Sequence, residues 1–236
     1  MASVQPLPID VLIANMKIQN SDGTIRKPTD EEMESRRKSE TWSRFAQKIG
    51  KRYEACSFDN FNAGDAKQSS VVAALREFGV SFQKDSGKGV IFIGPRGTGK
   101  DHLAIATIRQ CLKTLTMTID WVDGQSLFSE FRDRIGNDES EGHRIRQLIA
   151  PSILLVSDPA PQDGKLSDYQ QGILWQIIDA RYRRMQTTMI TANATSEADL
   201  CSKMGAQLVD RLVSDALVVS TAGWKSHRKP TEIVKG

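Results

Sequence analysis

Apolar residues in this chain fall into short, nearly unbroken runs separated by longer stretches of mixed polarity. Gly89-Val90-Ile91-Phe92-Ile93-Gly94 is apolar between glycines and predicts a buried strand. Ser152 to Ser157 repeats the pattern, and Thr118–Val122, Thr187–Thr191 and Ala216–Thr221 give three more β-rich runs. Helical spacing fills the intervals. Val71–Phe78, Thr98–Leu115 and Ser126–Ile135 read as helices, the last with Leu127, Phe128, Phe131 and Ile135 on one side. Asp168–Arg184 is a longer helix capped by Ser167 or Asp168, and Glu197–Val213 a helix broken at Gly205. The strands are continuously apolar rather than alternating. That predicts an α/β fold, with a five-stranded parallel sheet covered by helices on both faces.

Residues 1–55 break this rhythm. They contain Pro6, Pro8 and Pro28, a turn signal at Ser21-Asp22-Gly23, and dense mixed charge from Arg26 to Glu54. Thr29-Asp30-Glu31-Glu32 has the chemistry of a helix start, and Trp42, Phe45 and Ile49 follow on one helical face. The segment is expected to be a short helical amino-terminal arm before a domain spanning 56–236. Two uses stay open: packing on its own domain, or touching a partner or nucleic acid.

Composition narrows the class. The longest aliphatic run, Ile153 to Val156, is far below the ~18 residues of a membrane span. Met1 to Met16 lacks a basic segment and has only Val11–Ala14 as an apolar stretch, a poor signal peptide. Cys56, Cys111 and Cys201 form no CxxC pair, which argues against a disulfide scaffold or a zinc ribbon and fits a reducing cytoplasm. His102, His143 and His227 are scattered. A net charge of +3 permits nucleic-acid contact without demanding it.

The chemistry concentrates at Gly94-Pro95-Arg96-Gly97-Thr98-Gly99-Lys100-Asp101. This is GxxxxGK leaving a predicted strand and opening a predicted helix, the context a phosphate-binding loop (P-loop) requires. Glycines let backbone N–H groups curl round phosphates, the helix presents its amino terminus, and Lys100 reaches the β and γ oxygens. Asp101 replaces the usual hydroxyl ligand of Mg²⁺. The second apolar strand then ends in Ser157-Asp158, where an acid is usual at the first position. Hydroxyl and acid are exchanged between the two sites. In one reading Asp101 ligates Mg²⁺, Ser157 holds a metal-bound water and Asp158 orients the attacking water. In another, the site binds nucleotide and hydrolyses it slowly or not at all. In a third the register is one off and Asp158 is the metal-side acid.

With these residues in view, the chain resembles the DnaC/IstB group of AAA+ ATPases, bacterial helicase loaders and transposition helper ATPases. The resemblance rests on Gly97–Leu103, on Ile178–Tyr182 with Thr188–Asn193, on Leu208–Leu212, on Gly223–Arg228 and on the lead-in Phe58-Asp59-Asn60-Phe61. It covers roughly 56–229. It implies a P-loop NTPase fold, ATP and Mg²⁺ as ligands, and cytoplasmic action in DNA replication on a replicative helicase, or on a transposase for the IstB branch. It implies that Asn193 holds the attacking water or the γ-phosphate, with a capping turn before Ser196 as the plain alternative. It implies that Arg211 is a finger reaching a neighbouring copy's nucleotide in a homo-oligomer, with local pairing to Asp210 or Asp215 as the alternative. Arg228 would be a second sensor or a basic tail, and His102 follows Asp101 in the loop motif.

Single-stranded DNA is the expected polymer for such a loader. Candidate contacts are Arg132, Arg134, Arg144 and Arg146 around the Gly136–Gly142 turn, and Arg181, Arg183 and Arg184 on one helix end. Tyr182 and Phe131 are the candidate stacking aromatics. No helix-turn-helix, zinc-finger or RNA-recognition pattern is visible, which argues against base-specific readout, and no lid or acceptor pocket after the loop suggests a small-molecule kinase.

Overall fold

A computed structural model describes residues 17–19, 21, 23–136, 141–161 and 164–228, with backbone only for 19 and 134–136. The expectations for 1–16, the Arg134 side chain and most of the Gly136–Gly142 turn lie outside the described residues. A two-residue antiparallel pair, β1 (Ile18–Gln19) and β2 (Ile25–Arg26), flanks the predicted turn. Helix α1 follows (Asp30–Ile49), then the one-turn α2 (Lys51–Glu54), a 3₁₀ turn at Phe58–Asn60 and α3 (Ala66–Val80). The core continues as β3 (Val90–Ile93), α4 (Lys100–Thr114), β4 (Ile119–Asp123), α5 (Gly124–Gly136) and α6 (Glu141–Ile149). It closes with β5 (Ile153–Ser157), α7 (Asp168–Arg183), β6 (Thr187–Ala192), α8 (Glu197–Met204), α9 (Ala206–Val213) and β7 (Leu217–Ser220).

Strands β3 to β7 form one sheet in the order β4-β5-β6-β3-β7, every neighbouring pair parallel. This is the expected α/β architecture. Successive strand residues point to opposite faces, so one run feeds two cores. Val90 and Phe92 pack with residues of α1, α3 and α4, while Ile91 and Ile93 pack with residues of α5 through α9. All of β3 and β5 is buried, which explains why neither strand alternates in polarity.

The arm helix is part of this packing. Thr29 caps α1 through a reciprocal bond pattern with Glu32, three acids fill its first turn, and Gly50 ends it. Phe45 and Ile49 are buried in the same core as Phe92 and Leu103, and Lys48 Nζ meets Asp120 Oδ1 at 2.5 Å beside β4. Two helices are broken or started as their residues demand. Gly205, at φ +95°, separates α8 from α9 as the sequence predicts, and a Ser167–Gln170 capping box opens α7. Helix α6 was not among the predicted elements. It is short, and its apolar face is only Ile145, Leu148 and Ile149.

Two of the candidate DNA contacts are corrected. Arg181 is fully buried, not surface-exposed. Its guanidinium donates to the carbonyls of Leu148, Ile149, Pro151, Ser152 and Thr187, and to Thr188 Oγ1. It ties the end of α6 to the starts of β5 and β6. Phe131 is likewise a core residue of α5 at 0% exposure and cannot stack on a base. Of the rest, Arg144 is paired with Glu130 and Arg183 with Asp179, while Arg132, Arg146 and Arg184 remain exposed.

Arg181→Leu should therefore destabilise the fold by roughly 3 kcal/mol or more, since several buried carbonyls lose their donor at once. Arg181→Lys should recover only part of that, because one ammonium cannot span the acceptors. Chemical denaturation of both variants checks this; a surface-like change below ~0.5 kcal/mol would contradict it.

Candidate functional site

The sheet order brings the predicted residues together. Strand β6 lies between β3 and β5, and their carboxyl ends are level: Ile93 pairs with Ala192, and Ser157 with Thr191. The loop leaving β3, Asn193 after β6 and Asp158 after β5 therefore emerge side by side, where ligands bind in open α/β sheets.

The loop is a tight curl. Gly97 and Gly99 have φ of +79° and +90°, and a side chain at either would also collide with its cover. A Cβ on Gly97 would strike Ser226 Oγ, and one on Gly99 would come 2.7 Å from Phe61 Cε2. The cover is the segment after β7 together with Phe61 of the lead-in. His227 N donates to Gly97 O at 2.8 Å, and the Thr98 and Thr221 hydroxyls bond at 2.7 Å. Phe61 sits against His102, Trp224 and His227, with ring centroids 5.3, 6.2 and 5.5 Å away.

Lys100 is buried, and its ammonium donates to Gly94 O (2.9 Å), Pro95 O (2.8 Å) and Asn193 Oδ1 (2.9 Å). Burial pushes its pKa down; Asp158 and Asp101 push the other way. Asn193 is thus engaged with the loop lysine, while Ser196 caps α8 by itself. Asp158, at φ +42°, stands just past β5 with its N–H on Thr191 O. Its Oδ1 is buried with no hydrogen-bond partner among the described residues. Burial raises its carboxyl pKa, the neighbouring Asp101 raises it further, and Lys100 and Asn193 oppose. Asp101, in the first turn of α4, accepts from Thr191 Oγ1 at 2.8 Å.

A cavity of about 520 Å³ opens over these groups. Its wall includes Arg96, Gly97, Gly99, Lys100, Asp101, His102, Asp158, Asn193 and Arg228 from the predicted set. Four cations, Arg52, Arg96, Lys100 and Arg228, face two carboxylates there, a field suited to a polyanion. His102 Nε2 lies 2.8 Å from Ser57 O, so that nitrogen carries the proton, and burial holds the ring's pKa below its usual range. Ser157 does not line this cavity. Its Oγ accepts from Trp121 Nε1 at 2.8 Å and faces an adjoining cavity of about 390 Å³ that shares Tyr53, Asp101, Asp158 and Arg228.

Arg211 is elsewhere. It shares the amino-terminal edge of the sheet with Gly89 and Thr188, and its guanidinium stacks on Tyr182 at 4.8 Å and pairs with Asp179 and Asp210, both at 3.6 Å. The chain's own loop lies at the opposite strand ends. Arg52, Tyr53, Thr191 and Phe61 are site residues that sequence reading did not place. Phe61 was signalled by its lead-in motif and Thr191 by the Thr188–Asn193 segment, whereas no pattern marked Arg52 or Tyr53. Among the described residues, no group of three or more His, Cys, Asp or Glu side chains could hold a metal ion. Asp101 and Asp158 are two carboxylates on the cavity wall, and a Mg²⁺ site takes one or two carboxylates and completes its shell with phosphates and water.

A family model described as IstB-like ATP binding protein matches residues 21–233. The chain belongs to the IstB-like ATP binding protein family. Relatives of this family member include the "Replicative helicase loader DnaC" of Buchnera aphidicola subsp. Baizongia pistaciae, 28% identical over 179 residues, covering 75% of this chain and 71% of the relative. The protein of the same name from Escherichia coli is 24% identical over 216 residues, 89% of this chain and 84% of the relative. Among solved structures, the DnaC helicase loader superposes with a TM-score of 0.66 at 24% identity, covering 72% of this chain and 99% of that one. DnaI gives 0.62 at 16% identity, with 76% and 94% coverage. These likenesses show a P-loop NTPase-like fold. The family match also begins at residue 21, inside the segment that composition set apart.

Gly97→Ala combines left-handed backbone with a collision against Ser226, and should cost about 1–2 kcal/mol. The cover should loosen first. Faster hydrogen exchange at residues 222–228, with a lowered melting midpoint, is the expected result; unchanged exchange there would show that the segment does not rest on the loop.

Proposed function

We propose that this IstB-family protein is a nucleotide-driven helicase loader of the DnaC kind, binding ATP with Mg²⁺ and acting on a replicative helicase and single-stranded DNA. The observation that carries the nucleotide part is the convergence of Lys100, Asn193, Asp101 and Asp158 on one electropositive cavity beneath a glycine loop. The loader part rests on the DnaC relatives, which align over three quarters or more of the chain. A transposition helper is the alternative within the family.

When bound, Mg²⁺ would neutralise charge developing on the phosphates. Asp101 and Asp158, which both line the cavity, would hold it. Ser157 Oγ, already accepting from Trp121, keeps its proton and one lone pair for a water of the metal shell. Lys100 would leave the loop carbonyls for the phosphates while Asn193 and Asp158 orient water. Arg228 approaches from the chain's own cover. Arg211, at the far edge, serves a neighbouring copy's nucleotide in an oligomer. Exposed Arg132, Arg146 and Arg184 supply cations for DNA phosphates. The rival reading, a module that binds nucleotide without turnover, draws on Ser157 standing where an acid is usual.

Mg²⁺-dependent ATP turnover, measured with and without single-stranded DNA, tests the proposal with Lys100→Ala as the blank. Turnover above the blank and altered by DNA is expected. Nucleotide binding with turnover at the blank level would favour the non-hydrolysing module.

The exchange of hydroxyl and acid has its own test. Asp101→Thr and Ser157→Asp should each lower turnover by about tenfold or more, the scale of ~1.4 kcal/mol in the barrier. The double substitution should recover activity relative to the worse single variant. If it does not, the two positions do not compensate one another.

A further inference from the structure

The nucleotide cavity is not walled by the P-loop core alone. Arg52 and Tyr53 stand on its lining, and both belong to the charged arm. Their position follows from a break in the backbone. Helix α1 stops at Gly50, whose φ of 80° and ψ of 161° are open to glycine. The chain turns there, and the single turn of α2 carries Arg52 and Tyr53 away from the α1 axis onto the cavity.

Tyr53 marks the end of the cavity it reaches. It is shared with the adjoining space beside Asp101, Asp158 and Arg228, and Ile49 of α1 closes that space too. Its phenol feels Asp101 and Arg228 electrostatically, after the larger effect of burial, and stays a neutral donor. Tyr53 therefore stands toward the phosphate end, and Arg52, next to it in the single turn of α2, lines the larger cavity together with Arg96, Gly97 and Lys100. Arg52 is exposed, and among the described residues no ion pair or hydrogen bond occupies its guanidinium. A planar five-donor fork free beside a phosphate site is suited to bidentate binding of oxyanions.

The arm is also fastened to the helix that the P-loop opens. Arg109 of α4 lies 4.0 Å over the Trp42 ring and donates to Glu54 O at 2.7 Å. Lys38 Nζ donates to Lys113 O at 3.0 Å. Contact thus runs from Arg109 and Lys113 of α4 to the middle of α1 and to the end of α2.

We infer that Arg52 binds the polyphosphate of the nucleotide from the arm, with the Tyr53 hydroxyl beside it, so that nucleotide occupancy and the seating of the arm are linked. The inference rests on the ATP site proposed above and assigns that site a residue outside the loop and strand motifs. Linkage is reciprocal: a partner that draws the arm away from α4 weakens nucleotide binding by the same factor that nucleotide disfavours that partner.

The experiment uses the full chain. Calorimetric titration with MgATP and MgADP compares wild type, Arg52→Ala and Arg52→Lys, and hydrogen exchange is followed with and without MgATP. Arg52→Ala should bind MgATP roughly tenfold more weakly, the scale of one charge-assisted contact, with an unchanged melting midpoint. Arg52→Lys should fall between. In wild type, MgATP should slow exchange at residues 46–56 as well as at the loop, 94–100. In Arg52→Ala at saturating MgATP, only the loop should remain protected. Affinity within twofold of wild type, or loop protection with no change at 46–56, overturns the inference while leaving the ATP site standing. No MgATP binding and no loop protection in wild type overturns both. The wild-type exchange measurement decides the matter even if a variant folds poorly.

Discussion

A buried ammonium must be matched by acceptors, and in this protein the ammonium of Lys100 organises everything around it. Its partners come from three separate places in the chain: the loop carbonyls of Gly94 and Pro95, the amide of Asn193 at the end of β6, and the field of Asp158 and Asp101. Each partner depends on the sheet order. Were β5 next to β3, Asn193 would not stand between the loop and Asp158. The same arrangement leaves the lysine ready to change partners, because an incoming phosphate replaces neutral carbonyls with charged oxygens.

The loop cannot hold this geometry alone. Its glycines have no side chains to pack, and two of them lie directly under other segments. The strand-following tail supplies a cover through His227, Ser226 and Thr221, and the lead-in supplies Phe61 between the two histidines. Rigidity here is borrowed from both chain directions. The arm adds a third support through α1, which buries Phe45 and Ile49 against the back of the P-loop helix. Segments remote in sequence thus converge on a loop of eight residues, and a shift in any of them is felt by bound phosphate.

Much of this was legible in the residues, for physical reasons that vary by element. The strands were readable because burial on both faces leaves no polar position to blur them, as in Val90–Ile93 and Ile153–Ser157. The loop was readable because phosphate binding demands backbone freedom at fixed intervals. Helix α6 was missed because three apolar residues in nine positions give little periodic signal. Arg181 was misread because an arginine among arginines looks like surface. Only the fold reveals that five carbonyls at the ends of α6, β5 and β6 converge on it. Arg52 and Tyr53 could not be found at all, since their role depends on the direction the chain takes after Gly50, and that direction is a tertiary fact.

The exchange of Asp101 and Ser157 can be weighed by charge and by place. A hydroxyl on the helix with an acid on the strand carries one negative charge; an acid on the helix with a hydroxyl on the strand carries the same. The phosphates therefore meet no extra repulsion from the pair as a whole. What changes is where the carboxylate is stabilised. In the first turn of α4 it lies near the positive end of a helix dipole, and it accepts the Thr191 hydroxyl. On the strand, Ser157 is neutral and can accept the Trp121 indole N–H, which an ordinary metal-side acid would have to share with its ion. Burial raises the proton affinity of Asp158, and like-charge proximity to Asp101 raises it further. Asp101 and Ser157 together amount to one change in how a single negative charge is distributed over the site.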